Sequence, residues 1–443
     1  MPQRRIPVAS IQTIAHDRTQ FDAAWPRIVA AVDEAGRQGA KLIVLPEGTV
    51  PGYVLGTHPV SDRQLRDAQD ALAACARHHA ATIVYGTARP AGETMLNAAV
   101  VIGPGGQELG YAAKRFLWHF DRRWFAAGAE LQPIETPLGR LGVLVCADGR
   151  IPTIAETLVD RGAELLVMPT AWVTSGRDPL ALENVQADLM INVRARENGV
   201  PFVAANKAGV ALASVAYCGT SALVDAGGAF VARAGERDAE IVFGELELGG
   251  GRATRSAFPA RPAPLAATAV ARIAFTPSSD ALEIARLEPL AAQADANVLL
   301  AAGQASCATA CEREFEIGGV RAAAIRWETL RSPRGLVAAR LGGIDLFVCS
   351  TDEEADWQVP FVRTRAAELR AYVVLFASGG RAFAVDPDGT VVAGTFEGYR
   401  MAAFVYDRAR TAATLVAPGT DVLAGLREAE AIRARSLPAE AVV

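Results

Sequence analysis

LGVLVCADGRIP, residues 141–152, carries an apolar run, Leu141 to Val145, straight into Cys146. A short, branched, apolar run of this kind reads as a buried strand, and Pro152 is suited to the first turn of a helix. The segment returns later in the chain without its thiol. Arg150 and Pro152 match Arg331 and Pro333, and Gly162, Leu165 and Val167 match Gly343, Leu346 and Val348, at one offset of 181 positions (331 − 150). That offset carries Cys146 onto Trp327 and Asp148 onto Thr329. Further on, Arg194-Ala195-Arg196-Glu197 resembles Arg365-Ala366-Ala367-Glu368, and Val224-Asp225 with Gly228 resembles Val385-Asp386 with Gly389. Two related folding units in tandem are expected.

The bulk numbers agree with two globular cores: 443 residues, 51% hydrophobic and 21% charged. A net charge of −5 offers no basic field for nucleic acid or an anionic membrane, so a small-molecule substrate is favoured over either. No run of 18 apolar residues suggests a membrane span, and the N-terminal stretch lacks the apolar core of a signal peptide. The six cysteines are too scattered for a disulfide scaffold, which points to a reducing cytoplasm. Cys307 and Cys311 lie four apart without a second ligand pair, so no zinc site is expected there.

In the first half, short Val/Ile/Leu-rich runs alternate with amphipathic stretches, the pattern of an α/β layered fold. Strands are expected at Ile6–Ile11, Leu42–Leu45, Thr82–Gly86, Ala98–Ile102, Leu141–Val145, Leu165–Met168, Phe202–Ala205, Ala222–Val224 and Ile241–Glu245. Helices are expected at Pro26–Gly39, Gln64–His79, Ile151–Arg161 and Ala181–Asn198. These boundaries give a first domain over residues 1–252 and a Pro/Gly-rich linker over 253–267. A second domain follows over 268–426, with a charged helical tail over 427–443.

Three reactive groups follow strand-like elements or their loops in the first domain: Glu47, Lys114 and Cys146. Residues past the carboxyl ends of neighbouring strands converge on one rim of an α/β layer. A carboxylate, an ammonium and a thiol there suffice for covalent hydrolysis.

The chain resembles the nitrilase, or carbon–nitrogen hydrolase, superfamily over nearly all of Ile6 to Leu246. The resemblance rests on Leu45-Pro46-Glu47 with Gly52-Tyr53, on the Lys114 segment leading to Trp124-Phe125 and Gly128, and on Cys146-Ala147-Asp148-Gly149-Arg150 with Pro152. It extends to Ala195-Arg196-Glu197-Asn198 with Asn206, and to Gly219-Thr220-Ser221 before Asp225. It implies a four-layer αββα sandwich, here repeated in tandem with the second copy truncated. It also implies that Glu47 is general base and then acid, that Lys114 stabilises the oxyanion, and that Cys146 is the nucleophile. A further glutamate seven positions after the lysine is usual in the family; this chain has Asp121 there, one methylene shorter. Phe116 stands where many relatives place histidine, and Thr153 where a glutamate usually follows the proline. The backbone N–H of Ala147 is a candidate oxyanion donor, and Tyr53, Trp118, His119 and Trp172, with Trp124, are candidate pocket walls. Asp148 and Arg150 are expected to form a structural pair.

The activity so implied is hydrolysis of a small linear amide or carbamoyl compound through a thioester, releasing ammonia, with no metal or organic cofactor. CADGRIP is closer to amidase-type members than to nitrile-specific ones, so nitrile hydrolysis ranks second. An acyltransferase, and a binding or regulatory protein with an idle site, are the alternatives of another class. In the second domain Gly303 replaces the glutamate and Trp327 the cysteine. From Gly303 to Trp327 there are 24 positions (327 − 303), where the first copy has 99 (146 − 47). None of the reactive set remains. Related enzymes pair two units across a two-fold interface, so a tethered second copy suggests an internal pseudo-dimer.

Overall fold

The computed structural model describes residues 4–56, 60–174, 182–249, 270–296, 298–302, 312–395 and 399–436. The expected linker, Gly303, Cys307 and Cys311 lie outside the described residues. The chain is mixed α/β and divides into two units. One comprises Met1–Ala253 with Ala417–Thr420 and Ala429–Val443; the other comprises Thr254–Val416 with Asp421–Glu428.

The first unit is organised by strand Arg4–Ile14, whose near-continuous apolar run is buried on both faces. Arg4 to Gln12 pair antiparallel with strand Glu240–Leu248, and Thr13 and Ile14 then pair parallel with Lys207 and Ala208. Its other edge takes Leu42–Val44, followed by Thr82–Ala91, Thr94–Ile102 and Glu108–Ala113. A second sheet runs Phe230–Arg233, Ala222–Val224, Phe202–Ala205, Leu165–Pro169, Gly139–Val143, Ile134–Thr136. Helices Phe21–Arg37 and Asp62–His79 bury Ile28, Val32, Leu72 and Ala76 against Ile43, Ile83, Val100 and Ile102 of the first sheet. Helices Pro152–Asp160 and Ile191–Asn198 cover the second sheet, and the two sheets face each other. The layers therefore run helix, sheet, sheet, helix.

Several element boundaries differ from the sequence reading. The first helix starts at Phe21 rather than Pro26, because Asp17 caps a preceding turn by accepting from the N–H groups of Thr19 (2.7 Å) and Gln20 (3.1 Å). The stretch expected as Ala181–Asn198 is helical from the wide turn Gln186–Met190, where the Asn184 side chain accepts the Gln186 N–H (3.0 Å). Strands Lys207–Ala211 and Val215–Cys218 escaped the sequence reading because Lys, Gly and Tyr interrupt their apolar pattern.

The second unit has a three-stranded sheet, Val298–Ala301, Val270–Thr276, Ala402–Asp407. Its six-stranded sheet runs Arg313–Ile317, Val320–Ile325, Leu346–Thr351, Tyr372–Ala377, Arg381–Val385, Val391–Thr395. Its core joins Phe275 and Phe404 of the former to Tyr372 and Phe376 of the latter. Helix Val422–Ser436 runs unbroken across Leu426, where the sequence reading placed a boundary, since its buried Val422, Leu426 and Ala429 keep a helical repeat. Among the described residues no helix is long and apolar enough to cross a membrane.

Candidate active site

Four strand ends of the first unit supply the site. Glu47 follows Leu42–Val44, and its N–H donates to the carbonyl of Thr170 just past Leu165–Pro169 (3.2 Å). The turn at Glu47 lies against strand Thr82–Ala91 so closely that Gly86 has no room for a side chain: a Cβ there would meet Glu47 Cα at 2.4 Å. Lys114 follows Glu108–Ala113, and Cys146 follows Gly139–Val143 at a left-handed φ of 48°, rare for a residue with a Cβ. Such strain gathers at functional sites.

Lys114, Glu47 and Asp121 are wholly buried together. Lys114 Nζ lies 2.8 Å from Glu47 Oε1 and 2.7 Å from Asp121 Oδ2. The shorter side chain of Asp121 thus reaches the ammonium, in a turn where the Trp118 N–H donates to the same Oδ2 (2.8 Å). Tyr53 Oη donates to Asp121 Oδ1 (2.9 Å), and its ring centre is 5.5 Å from Lys114 Nζ. Asn97 Nδ2 donates to Glu47 Oε1 at 2.6 Å. Glu47 Oε2 is buried and has no hydrogen-bond partner among the described residues.

The electrostatics follow from this crowding. Burial alone would lower the pKa of Lys114, but the charges of Asp121 and Glu47 hold it well above the usual lysine range. Lys114 therefore remains an ammonium. Burial and then the Glu47 carboxylate push the Cys146 thiol up to about 12, with Lys114 opposing them. The site so holds a neutral thiol beside a carboxylate with a free lone pair.

The other expected residues fall into distinct places. Ala147 is buried directly after Cys146. Trp172 is buried, its N–H donating to Asn206 Oδ1 (2.8 Å), while its indole Nε1 has no partner among the described residues. Trp118 is half-buried with the Arg150 guanidinium 5.0 Å from its ring centre. His119 is exposed and stands apart from the buried group.

Asp148 is buried and holds backbone groups of two segments. Its carboxylate accepts the N–H groups of Arg115 (3.0 Å), Phe116 (2.7 Å) and Val145 (3.0 Å), so it ties the lysine loop to the cysteine strand. Burial outweighs these donors and raises it from the ordinary 3.8 to about 6. Asn97 escaped the sequence reading too, although an Asn inside TMLNAAVVI was the available signal. Among the described residues, Asp33, His78 and His79 bring ligand-type atoms within 4.8 Å of one another. They lie on the outer helices, where His79 Nε2 and Asp33 Oδ1 (2.8 Å) join two helices. None belongs to the Glu47 group.

Comparison with known proteins accords with this geometry. The family model described as carbon–nitrogen hydrolase matches residues 7–256. The hydrolase in the pqqF 5′ region of Pseudomonas protegens is 32% identical over 47% of this chain and 72% of its own length. The human omega-amidase NIT2 is 28% identical over 50% of this chain and 82% of its own. Among solved structures, a mutant of the amidase from Nesterenkonia sp. AN1 superposes with a TM-score of 0.50 at 25% identity. It covers 54% of this chain and 90% of that one, and is described as carrying the acetamide moiety of fluoroacetamide added covalently at the active-site cysteine. The chain belongs to the carbon–nitrogen hydrolase family, as an amidase-like hydrolase of the nitrilase superfamily.

Proposed function

We propose that this chain hydrolyses the carbon–nitrogen bond of a small linear amide or carbamoyl compound through a thioester on Cys146. The observation that carries the reading is Lys114 Nζ between Glu47 and Asp121, electrostatically coupled to a buried thiol. With that thiol at about 12, only about one molecule in 10⁵ holds a thiolate at pH 7. The proton must therefore leave as the sulfur attacks, and the open Oε2 of Glu47 can take it.

In the first step the S–H bond breaks, an O–H bond forms on Glu47, and the sulfur bonds to the carbonyl carbon. The carbonyl π pair moves onto oxygen, where the Lys114 ammonium and the Ala147 N–H would meet it. Losing one such donor commonly costs ~3 kcal/mol of barrier. When the C–N bond breaks, Glu47 gives its proton to the leaving nitrogen and ammonia departs. Glu47 then takes a proton from water, whose oxygen bonds to the thioester carbon; as the C–S bond breaks Glu47 passes that proton to sulfur, and the acid is released. Asp121 acts by fixing Lys114.

The test is ammonia release from a panel of linear amides, ureido acids and nitriles, with Cys146→Ala as control. Hydroxylamine should divert the acyl group to a hydroxamate. Turnover of nitriles alone, or full activity in Cys146→Ala, rejects the reading.

The second unit we read as a degenerate copy with a structural role. In the first unit Arg194 bonds Glu197 (2.8 Å), and its Nε and Nη2 donate to the carbonyls of Gly149 (3.1 Å) and Arg150 (3.4 Å). Arg365 likewise bonds Glu368 and donates to the carbonyls of Leu330 (2.6 Å) and Arg331 (2.8 Å), which lie at the same offset of 181 (330 − 149). The clamp is kept where the thiol's position holds Trp327, a buried ring 5.7 Å from that of Phe361.

A further inference from the structure

The mechanism above uses one of two buried lysines. The chain has three lysines, Lys41, Lys114 and Lys207, against 41 arginines (44 − 3). Two of the three are wholly buried in the first unit. Lysine is the cation whose protonation responds to its surroundings, whereas arginine stays charged. A chain that otherwise favours arginine thus keeps lysine at two buried positions beside one carboxylate.

Lys207 opens the strand Lys207–Ala211, which pairs with the end of Arg4–Ile14. Its Nζ donates to the carbonyl of Gly48 (2.9 Å), the residue next to Glu47, and lies 5.9 Å from the Tyr217 ring centre. Gly48 holds a left-handed φ of 55°, and a Cβ there would strike the Tyr53 backbone at 2.5 Å, so the turn presenting that carbonyl is sterically fixed. Burial lowers Lys207 to about 8, with the Glu47 charge opposing. At pH 7 the charged form still prevails by about ten to one. Of the other titratable groups around it, His16 sits with Nε2 3.1 Å from the Thr49 carbonyl and is pushed down to about 4, by burial and then by Lys207. Tyr217 is held above the usual tyrosine range by burial, then by the Glu47 and Cys146 charges. Both stay neutral near pH 7. The buried carboxylates Glu47, Asp121 and Asp148, the last ionised above about pH 6, then face Lys114 alone unless Lys207 adds a second cation. A dry site does not tolerate a net charge cheaply.

We infer that Lys207 is a positioning residue of this reaction: its ammonium, pinned on the Gly48 carbonyl, holds the turn that presents Glu47 and offsets part of the buried carboxylate charge where the Cys146 proton is received. This rests on the catalytic roles proposed above. Moving a proton from sulfur to Glu47 in the first step leaves the total charge of the group unchanged.

Two measurements test it. In Lys207→Met the acid limb of kcat/KM should move upward by about one pH unit, the effect of losing a close opposite charge, and Lys207→Arg should bring it back. Independently of turnover, lysine-labelled ¹³C,¹⁵N NMR of the intact chain resolves three ammonium groups. The Lys207 midpoint should fall by about one unit in Glu47→Gln, since the coupling is reciprocal. An acid limb unmoved in Lys207→Met, with only thermal stability lost, makes Lys207 a structural peg and overturns the inference. A Lys207 midpoint unchanged in Glu47→Gln overturns it even if Lys207→Met does not fold. Wild-type protein that hydrolyses no amide removes the reading beneath it, a result distinct from an active enzyme whose limb does not move.

Discussion

Gly86→Ala perturbs the site without touching any group that would meet substrate. The added Cβ would lie 2.4 Å from Glu47 Cα, 2.5 Å from the Pro46 carbonyl oxygen and 2.7 Å from the Gly48 nitrogen. All three are backbone atoms, so no side chain can swing aside. Ordinary contact begins near 3.4 Å, and the Glu47 backbone must therefore retreat by about 1 Å (3.4 − 2.4). It cannot do so alone, because its N–H is bonded to the Thr170 carbonyl and its side chain to Lys114 and Asn97. Overpacking of this kind costs about 1–3 kcal/mol, offset in part by the ~0.4–1 kcal/mol that Gly→Ala gains through the unfolded chain. A 1 Å misplacement of a catalytic group can cost about 10²-fold in rate. Gly86→Ala should therefore lose about two orders of magnitude in kcat/KM while Tm falls by only about 2–8 °C. The assay pairs ammonia release with a thermal melt at one pH. Near-wild-type kcat/KM in a folded variant would refute the reasoning, since it would mean either that Glu47 does not act or that its placement is not set by this strand contact.

Alkylation of Cys146 by iodoacetamide at pH 7 should be slow for a thiol near 12, as peptide mapping of the modified sites would show. Asp148 has its folded pKa raised from 3.8 to about 6, so its contribution to stability is full below pH 3.8 and is lost as pH rises through 6. The stability of wild type relative to Asp148→Asn should accordingly fall by up to about 3 kcal/mol between pH 3.8 and pH 7, read by urea denaturation at each pH. Arg365→Met strands Glu368 and two carbonyls in the second unit, and should cost about 3–5 kcal/mol in urea melts, as a broken buried pair does. If the second unit takes the place of a partner, light scattering should return the mass of one chain, 46.5 kDa.

The elements legible in the sequence are those whose burial is uniform. Leu42–Val44, Phe202–Ala205 and Ala222–Val224 are buried along their whole length, and an unbroken apolar run marks them. Strands that carry a polar site residue within their own span read less fully for the same reason. Of Thr94–Ile102 only Ala98–Ile102, past Asn97, was legible, and Lys207–Ala211, which opens on a lysine, was not, because the polar group each supplies breaks the apolar pattern. The motif-bearing residues, Glu47, Lys114 and Cys146, were legible as types that suit one chemistry. Their holders were not, since Asp148 reaches three N–H groups in two separate loops that sequence spacing does not connect.

If the second unit is a copy of the first, as we propose, that division separates what it has kept from what it has lost. Arg365 and Glu368 are present, with carbonyl contacts like those Arg194 makes, and deleting either partner would break a buried ion pair. On that reading Thr329 stands at the position of Asp148, and the change is consistent: a carboxylate whose task is to tie a lysine loop to a cysteine strand would have no task once Trp327 fills the cysteine position. A buried indole in place of a thiol also removes the void an empty site would leave, and a cavity in a packed core costs stability in proportion to its volume. The substitutions in the second unit thus follow packing, whereas the buried lysines, carboxylates and strained cysteine of the first unit all carry a folding cost. The reaction proposed above would account for that cost.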